Sequence, residues 1–226
     1  ADLIHVVGTY EKEIIRNQFK NKKVSNIPLF MVDEKELEKI PAEFEQRKNF
    51  LFVGGFTHKP NVDAMIWFVK EVFPVIMESL PDVTLTIAGS NPPQDILDLS
   101  SRNIHVTGYI SDEKLQELYD TSRVVVVPLR YGAGVKGKVV EALIHSVPIV
   151  TTSIGAEGLQ QADQVMAIAD LPHQFAELAI KLYTDKVSWI KLSNRSKEYL
   201  RQFFSKDAAL NIIQEDFGLK DSVAIR

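Results

Sequence analysis

The chain has no cysteine among its 226 residues. A disulfide framework, a cysteine-based zinc site and a thiol nucleophile are therefore excluded. Its longest apolar runs, such as Val124 to Val127, are far shorter than the roughly 20 residues of a membrane span, so we expect no transmembrane segment. The absence of cysteine allows an intracellular compartment. We expect a cytoplasmic protein that could lie peripherally at a membrane in its full-length form.

The chain also lacks an excess of positive charge, since 26 Lys and Arg stand against 30 Asp and Glu, for a net charge of −4. This balance argues against a nucleic-acid-binding protein. The five histidines form no H-E-x-x-H pair and do not cluster in sequence, so we expect no metal site. A serine hydrolase would need G-x-S-x-G, which is also absent.

What the sequence does contain is a regular alternation of short β-rich runs with longer helical patterns. This order predicts an α/β fold, a Rossmann-like parallel sheet with helices on both faces. The predicted strands are Phe50 to Val53, Val83 to Ala88, Ile104 to Thr107, Val124 to Val127, Pro148 to Thr152 and Val165 to Ile168. The predicted crossover helices are Pro60 to Leu80, Gln94 to Ser100, Asp112 to Tyr119 and Lys136 to His145.

Both ends of the chain differ from this central pattern. Beyond Pro172 the pattern is purely helical and predicts a helical C-terminal tail. Residues 1–40 predict a strand, a helix, a second extended stretch at Val24 to Val32 and a charged segment. One such piece cannot bury both faces of a sheet. We therefore predict that residues 1–40 are the end of a preceding domain with its linker, and that residues 41–226 form the main domain.

The stretch from Tyr131 to Ala142 carries the strongest chemical signal. Its glycines, Gly132, Gly134 and Gly137, would let backbone N–H groups approach a ligand closely, and a helix begins beside them. Backbone amides and a helix start together favour an anion. The spacing of three residues places Lys138 and Glu141 on one helical face. The lysine could neutralise a phosphate and the glutamate could accept hydrogen bonds from a ribose diol, although a surface ion pair is the simpler alternative.

Two other turns are predicted at the same edge of the sheet, because ligands collect at the carboxyl ends of parallel strands. Gly54 and Gly55 follow the first strand of the main domain and lead to Lys59, which could be a second phosphate cation or a solvated turn residue. Tyr109 follows the third strand and could present its ring to a base or lie in a plain loop.

The glycine stretch also has the spacing of a phosphate-binding P-loop. Gly132 is followed after four residues by Gly137 and Lys138, but Val139 stands where a magnesium-binding Ser or Thr is required. A nucleotide hydrolase is therefore an alternative function. A dinucleotide fingerprint is a weaker alternative, because no acidic residue follows at the required distance.

Four stretches of the chain carry a family resemblance. They are Phe52 to Gly55 with Lys59 to Ala64, Leu85 to Gly89, Val106 to Tyr109 with Leu115 and Tyr119, and Glu141 to Leu143 with Pro148 to Val150. Together they resemble the GT-B glycosyltransferases of group 1, the large group that includes sucrose synthases and bacterial mannosyltransferases. Their order and spacing match the nucleotide-sugar-binding C-terminal half of that family over roughly residues 48 to 217. Residues 1–40 then resemble the end of the acceptor-binding N-terminal half.

The resemblance assigns roles to individual residues. The family carries two glutamates separated by seven residues, and the second binds the donor ribose; Glu141 matches it. The first glutamate, which helps to hold the transferred sugar, falls on Ala133, and the glycine after it is Gly134. The family's phosphate-binding arginine falls on Gly55, while its companion lysine matches Lys59. Lys138 matches no usual family cation, yet it could compensate for the lost arginine.

The resemblance implies transfer of a hexose from a nucleoside diphosphate sugar, such as a UDP or GDP sugar, with retention of configuration and without metal or further cofactor, in glycan biosynthesis. The acceptor would be a glycan, a lipid or a small molecule held by the N-terminal domain of the same protein. The fragment itself would bind the donor without turnover. A catalytically inactive relative that serves as an interaction module is a third alternative, because Ala133 departs from the family pattern.

Overall fold

The computed structural model describes residues 1–28 and 32–219 of the chain. The strands are β1 (Leu3–Val6), β2 (Lys23–Asn26), β3 (Lys48–Val53), β4 (Leu85–Ala88), β5 (Ile104–Gly108), β6 (Ser122–Val127), β7 (Ile149–Thr151) and β8 (Met166–Ile168). The helices are α1 (Thr9–Gln18), α2 (Glu34–Glu38), α3 (Lys59–Trp67), α4 (Phe73–Ser79), α5 (Gln94–Leu97), α6 (Asp112–Thr121), α7 (Gly137–Ile144), α8 (Pro172–Thr184), α9 (Lys186–Phe204) and α10 (Lys206–Phe217).

The main sheet has six strands in the order β5-β4-β3-β6-β7-β8, and its pairings are all parallel. Helices cover both of its faces, and α8 to α10 form a helical C-terminal region. The predicted Rossmann-like α/β fold is confirmed. The order turns back at β3, where the chain crosses from β5 at one edge to β6 on the other side, and the carboxyl ends of β3 and β6 flank that switch point.

The sheet separates two apolar cores because alternate residues of a strand point to opposite faces. On one face Phe50 and Phe52 pack with the helical residues Phe68 and Phe175, while on the other Leu51 packs with residues of α7 and α9. The central strands are therefore buried on both sides, which explains their nearly continuous apolar sequences.

The chain is helical without interruption from Lys59 to Ser79, as the predicted helix Pro60 to Leu80 requires, but it is not one regular α-helix. The structure divides it into α3, a π-helical segment Phe68–Val72 and α4. Pro74, at the start of α4, has no backbone N–H to donate to the preceding turn, so the regular α-helical ladder cannot run through this position. Within the π-helical segment, Phe68 and Val72 are fully buried against the sheet.

The N-terminal part forms a separate parallel pair, β1 with β2, joined by α1. Of the predicted extended stretch Val24 to Val32, the structure has a strand only to Asn26, and residues 29–31 lie outside the described residues. Asp216 of α10 fixes this pair, since its carboxylate accepts from Ser25 Oγ at 2.8 Å and lies 2.9 Å from Lys23 Nζ. The domain boundary at residue 40 stays a prediction.

Arg47 lies fully buried at the amino end of the main sheet, immediately before β3. Its guanidinium donates to the carbonyls of Ala42, Tyr119, Ser122 and His145 at 2.6 to 3.2 Å. Burial lowers its pKa to about 10, partly offset by the charge of Asp120. This side chain therefore joins the ends of α6 and α7 to the sheet.

Candidate functional site

A cleft of about 700 Å³ opens at the carboxyl ends of β3 and β6. The turn after β3 forms one wall with Gly54, Gly55 and Asn61, and the first two turns of α7 form another with Lys138 and Glu141. Residues of α6 and Glu36 of α2 complete the lining. The cleft is at the switch point of the sheet, where open α/β folds bind their ligands.

Lys138 enters the cleft from the first turn of α7. Its ammonium donates to Asn61 Oδ1 at 2.6 Å and lies 4.2 Å from the centre of the Phe52 ring. Asn61 is itself held by a hydrogen bond from Nδ2 to the Gly55 carbonyl at 2.7 Å. An ammonium has three N–H donors. Within residues 1–28 and 32–219, the Lys138 ammonium uses one of them, in the hydrogen bond to Asn61. An anion in the cleft could accept the remaining hydrogen bonds.

The surroundings of Lys138 disfavour its positive charge. Burial, and to a smaller extent repulsion from Lys136, lower the pKa of Lys138 to about 7. No carboxylate in the described part of the chain lies within ion-pair distance of it. Gly54 adjoins the ammonium directly, because a Cβ there would lie 2.6 Å from Lys138 Nζ and would displace the lysine and Asn61 side chains. The site therefore holds a cation that gains stability when a negative group arrives.

Glu141 lines the same cleft one helical turn after Lys138. Burial raises the pKa of its carboxyl above the usual value. The hydroxyl of Tyr119, which is fully buried, has no hydrogen-bond partner in the part of the chain that the structure describes, and the charge of Glu141 adds to burial in raising its pKa. The cleft thus presents a carboxylate and a cation on one helical face.

The glycine loop before α7 has a different arrangement from the one expected. Gly132 and Gly134 have φ of 116° and 79°, values that favour glycine. The Gly134 N–H donates to Glu157 Oε1 at 2.8 Å, and Lys136 Nζ donates to the carbonyls of Gly132 and Gly134. The expectation of open loop amides is therefore wrong at Gly134, because a side chain already accepts from that group.

The predicted site residues fall into two sets. Gly54, Gly55, Lys138 and Glu141 line the cleft. Lys59, Tyr109, Gly132, Ala133 and Gly134 do not line it. Lys59 is exposed at the start of α3 and Tyr109 is 80% exposed after β5, so neither contributes a wall.

Three residues contact predicted site residues although no sequence pattern assigned them a role. Asn61 and Phe52 contact Lys138, and Glu157 contacts Gly134. Asn61 directly follows Pro60 at the start of α3, which was the only sequence signal near it. Phe52 reads as an ordinary buried strand residue. Glu157 stands in a glycine turn, Gly155 to Gly158, whose contact with residue 134 becomes visible only in three dimensions.

Within residues 1–28 and 32–219, no three His, Asp or Glu side chains are grouped so that they could hold a metal ion. The helices of that part of the chain include none long and apolar enough to cross a membrane.

Residues 47–185 match the family model described as glycosyl transferases group 1. The chain belongs to this family. A protein of Klebsiella pneumoniae, named an uncharacterized 44.6 kDa protein in the cps region, is 33% identical over 151 residues, which are 63% of this chain and 39% of that protein.

Two solved structures share the fold. A mutant of TarM from S. aureus, in complex with fondaparinux, alpha-GlcNAc-glycerol and UDP, has a TM-score of 0.75 at 18% identity over 96% of this chain and 44% of that one. The pneumococcal O-GlcNAc transferase GtfA, in complex with UDP and GlcNAc, has a TM-score of 0.73 at 16% identity over 96% and 45%. The chain thus spans less than half of these relatives.

Proposed function

We propose that this chain is the donor-binding part of a glycosyltransferase and that its cleft binds a nucleoside diphosphate sugar. The observation that carries the proposal is the pairing of Lys138 and Glu141 in one cleft at the switch point of the sheet. Family membership and the UDP named with both structural neighbours support it.

The diphosphate is assigned to Lys138 and the start of α7. The ammonium has donors to spare, and the partial positive charge of the helix N-terminus adds to its attraction for an anion. The turn also has open space at Gly55, where a Cβ would meet only Ser90 Oγ at 3.4 Å. A phosphate oxygen could therefore approach this turn closely.

The ribose is assigned to Glu141. Its backbone position lies three residues, a rise of about 4.5 Å, farther along α7 than that of Lys138, so neighbouring groups of one ligand could reach both side chains. A carboxylate accepts two hydrogen bonds from adjacent hydroxyls. The base then lies toward α6, where Leu115 and Tyr119 line the cleft.

The reaction we propose is transfer of a hexose to an acceptor with retention of configuration and without metal. Negative charge develops on the leaving diphosphate as the bond to the sugar breaks. Lys138 and the start of α7 are fixed before the reaction and stabilise that charge where it forms. The acceptor, a glycan, lipid or small molecule, is bound by an N-terminal domain of which residues 1–40 are the end. The chain alone therefore binds donor in the cytoplasm without turnover.

Calorimetric titration with UDP, GDP, UDP-glucose, UDP-N-acetylglucosamine and GDP-mannose tests this proposal. We expect at least one of them to bind, with the same affinity in EDTA as in magnesium. Glu141→Gln should weaken that binding by about tenfold, since a hydrogen bond to a charged group contributes about 1.5 to 3 kcal/mol. Glu117→Gln, on the exposed side of α6, is the matched control and should have no effect.

Failure of all five ligands to bind a folded chain would contradict the donor-binding assignment. Binding that requires magnesium would instead favour a nucleotide hydrolase. Unchanged affinity in Glu141→Gln would remove the ribose assignment alone.

A further inference from the structure

Glu157 brings a carboxylate to the glycine loop at the position where the chain departs from its family. Its Oε1 accepts a hydrogen bond from the Gly134 N–H at 2.8 Å. Gly134 directly follows Ala133, where the family resemblance places a glutamate that this chain lacks. Residue 133 thus has no carboxylate of its own, but the next residue contacts the carboxylate of Glu157, which lies 23 positions after Gly134.

The turn that carries Glu157 is fastened to the ends of the central strands. Thr152 Oγ1 accepts from the Gly155 N–H at 3.1 Å and donates to the Leu129 carbonyl. A Cβ at Gly155 would lie 2.0 Å from Thr151 Oγ1 and 2.8 Å from the Val127 carbonyl oxygen. This position accepts only glycine, and the turn sits directly on the sheet.

The same turn also packs directly against the glycine loop. Gly158 has φ of 84°, and a Cβ there would lie 2.8 Å from Val135 Cγ2. The loop and the turn therefore approach each other at both Gly134 and Val135. Gly158 adjoins Glu157 in sequence. The packing of Gly158 against Val135 and the hydrogen bond to Gly134 therefore fix the position of the Glu157 carboxylate.

Lys136 balances the charge at this junction. Its ammonium donates to the carbonyls of Gly132 and Gly134, and the negative charges of Glu157 and Glu11 oppose the lowering of its pKa by burial. Glu157 thus lies close enough to Lys136 for the two charges to attract each other. An ionised carboxylate accepts hydrogen bonds from hydroxyl groups.

In the proposed function, the sugar of the donor lies beyond the diphosphate on the side away from the ribose. Glu141 holds the ribose and Lys138 the diphosphate, so the ligand runs toward the start of α7. The next residues in that direction are those of the loop from Ala133 to Lys136. Glu157, which is not part of this loop, accepts a hydrogen bond from the loop's backbone at Gly134.

We propose that Glu157 binds hydroxyl groups of the transferred hexose in place of the missing side chain at residue 133, and so determines which sugar nucleotide the chain prefers. This inference rests on the proposed function. It adds a specificity-determining residue that is contributed by the turn after β7 rather than by the loop before α7.

The experiment compares the affinity for UDP with the affinity for UDP-glucose and UDP-N-acetylglucosamine, and for GDP with GDP-mannose. The unmodified chain should bind one sugar nucleotide more tightly than its diphosphate. Glu157→Gln keeps an oxygen that can accept from the Gly134 N–H but removes the charge. We expect it to lose about tenfold in affinity for that sugar nucleotide and to leave the diphosphate affinity and the melting temperature unchanged.

Two further variants make the test specific. Glu11→Gln removes the other carboxylate near the loop, which approaches within 4.0 Å of a Cβ built at Gly134, and should have no effect on sugar preference. Adding Ala133→Glu to Glu157→Gln should restore the preference. The inference is overturned if Glu157→Gln keeps the preference, if Glu11→Gln abolishes it, or if no sugar nucleotide binds better than its diphosphate. Loss of all nucleotide binding in the unmodified chain would refute the proposed function first.

Discussion

Arg47 is a fully buried cation at the amino ends of the strands and Lys138 is a half-buried cation at their carboxyl ends. Their surroundings differ in one decisive respect. Arg47, at the amino end, donates to four backbone carbonyls. Lys138, at the carboxyl end, donates to one amide oxygen, packs over Phe52 and faces an open cleft. A buried guanidinium that donates four of its five N–H groups to backbone carbonyls belongs to the architecture. An ammonium that uses one of its three donors within the described residues, beside a cavity, is suited to bind an anion.

The pKa values agree with this distinction. Burial lowers the pKa of Arg47 only to about 10, so it stays charged at neutral pH. Burial lowers the pKa of Lys138 to about 7, so its charge is only half established there. Arg47, which joins parts of the fold, therefore keeps its charge at neutral pH. Lys138, which faces the cleft, is fully charged only when a negative ligand stabilises its protonated form.

The largest expected effect is on stability at Arg47. Arg47→Met leaves buried carbonyls of Tyr119, Ser122 and His145 without donors, and each unsatisfied group costs about 1 to 3 kcal/mol. We expect the free energy of unfolding in urea to fall by about 3 kcal/mol or more. Arg102→Met, an exposed control, should change it by less than about 0.5 kcal/mol. Equal effects of the two would show that Arg47 is not structural.

The next effect is on ligand affinity at Lys138. Lys138→Met should weaken UDP or GDP binding by about 10 to 100-fold, because a charge-assisted contact to phosphate is lost. The free energy of unfolding should stay the same or increase, since an incompletely paired buried ammonium is removed. Lys59→Met is the matched control, and its exposed position predicts little change in affinity. The reverse order of the two lysines would restore the sequence-based assignment of Lys59.

The pH dependence of binding follows from the lowered pKa of Lys138. In the proposed function the protonated form of Lys138 binds the diphosphate, so binding above pH 7 would require uptake of a proton. Titrations at pH 7, 8 and 9 should show the affinity falling by at most about tenfold per unit. In Lys138→Met this dependence should disappear. A pH-independent affinity in the unmodified chain would mean that Lys138 does not titrate in the complex.

The stability of the fold should change with pH in the opposite direction to the ligand affinity. Because the folded pKa of Lys138 lies below that of a free lysine, the unfolded chain binds more protons between about pH 7 and 10.5, and this residue's contribution raises stability as pH increases over that range. The gain in stability from Lys138→Met should therefore be larger at pH 6 than at pH 9. Urea unfolding at the two pH values measures it.

The smallest effect we predict is at Asn61, and it would make Lys138 resemble Arg47. Asn61→Asp gives the ammonium a permanent counter-ion in place of the oxygen at 2.6 Å. The pKa of Lys138 should rise, the dependence of affinity on pH between 7 and 9 should flatten, and UDP binding should weaken several-fold because the cation is neutralised. Asn61→Ala, which loses the same hydrogen bond to Gly55 without adding charge, separates the two causes. A stronger UDP affinity in Asn61→Asp would contradict this account.

The fold was largely predictable because local sequence and final environment agree. Strands β3 and β6 are continuous apolar runs, and their burial on both faces explains that composition. The π-helical segment within Pro60 to Leu80 was missed because the apolar pattern continues through it, while Pro74 imposes a local change in hydrogen bonding. Pro74 is the sequence signal that indicates this irregularity in the helix.

The candidate site was predictable only where one helix carries it. Lys138 and Glu141 share a face of α7 through a spacing of three residues, which the sequence shows directly. Three of the four carbonyl partners of Arg47 lie 72 to 98 residues away along the chain, so little in the local sequence distinguishes it from a surface arginine. Glu157 and Asn61 were missed for the same reason, since their contacts are made by the tertiary fold.

A crystal structure of the chain with bound UDP or GDP tests the central claim most directly. The account predicts a phosphate oxygen within about 3 Å of Lys138 Nζ and the ribose hydroxyls within about 3 Å of the Glu141 carboxylate, as charge-assisted hydrogen bonds require. A nucleotide bound outside this cleft, or one whose phosphates lie away from Lys138, would contradict it.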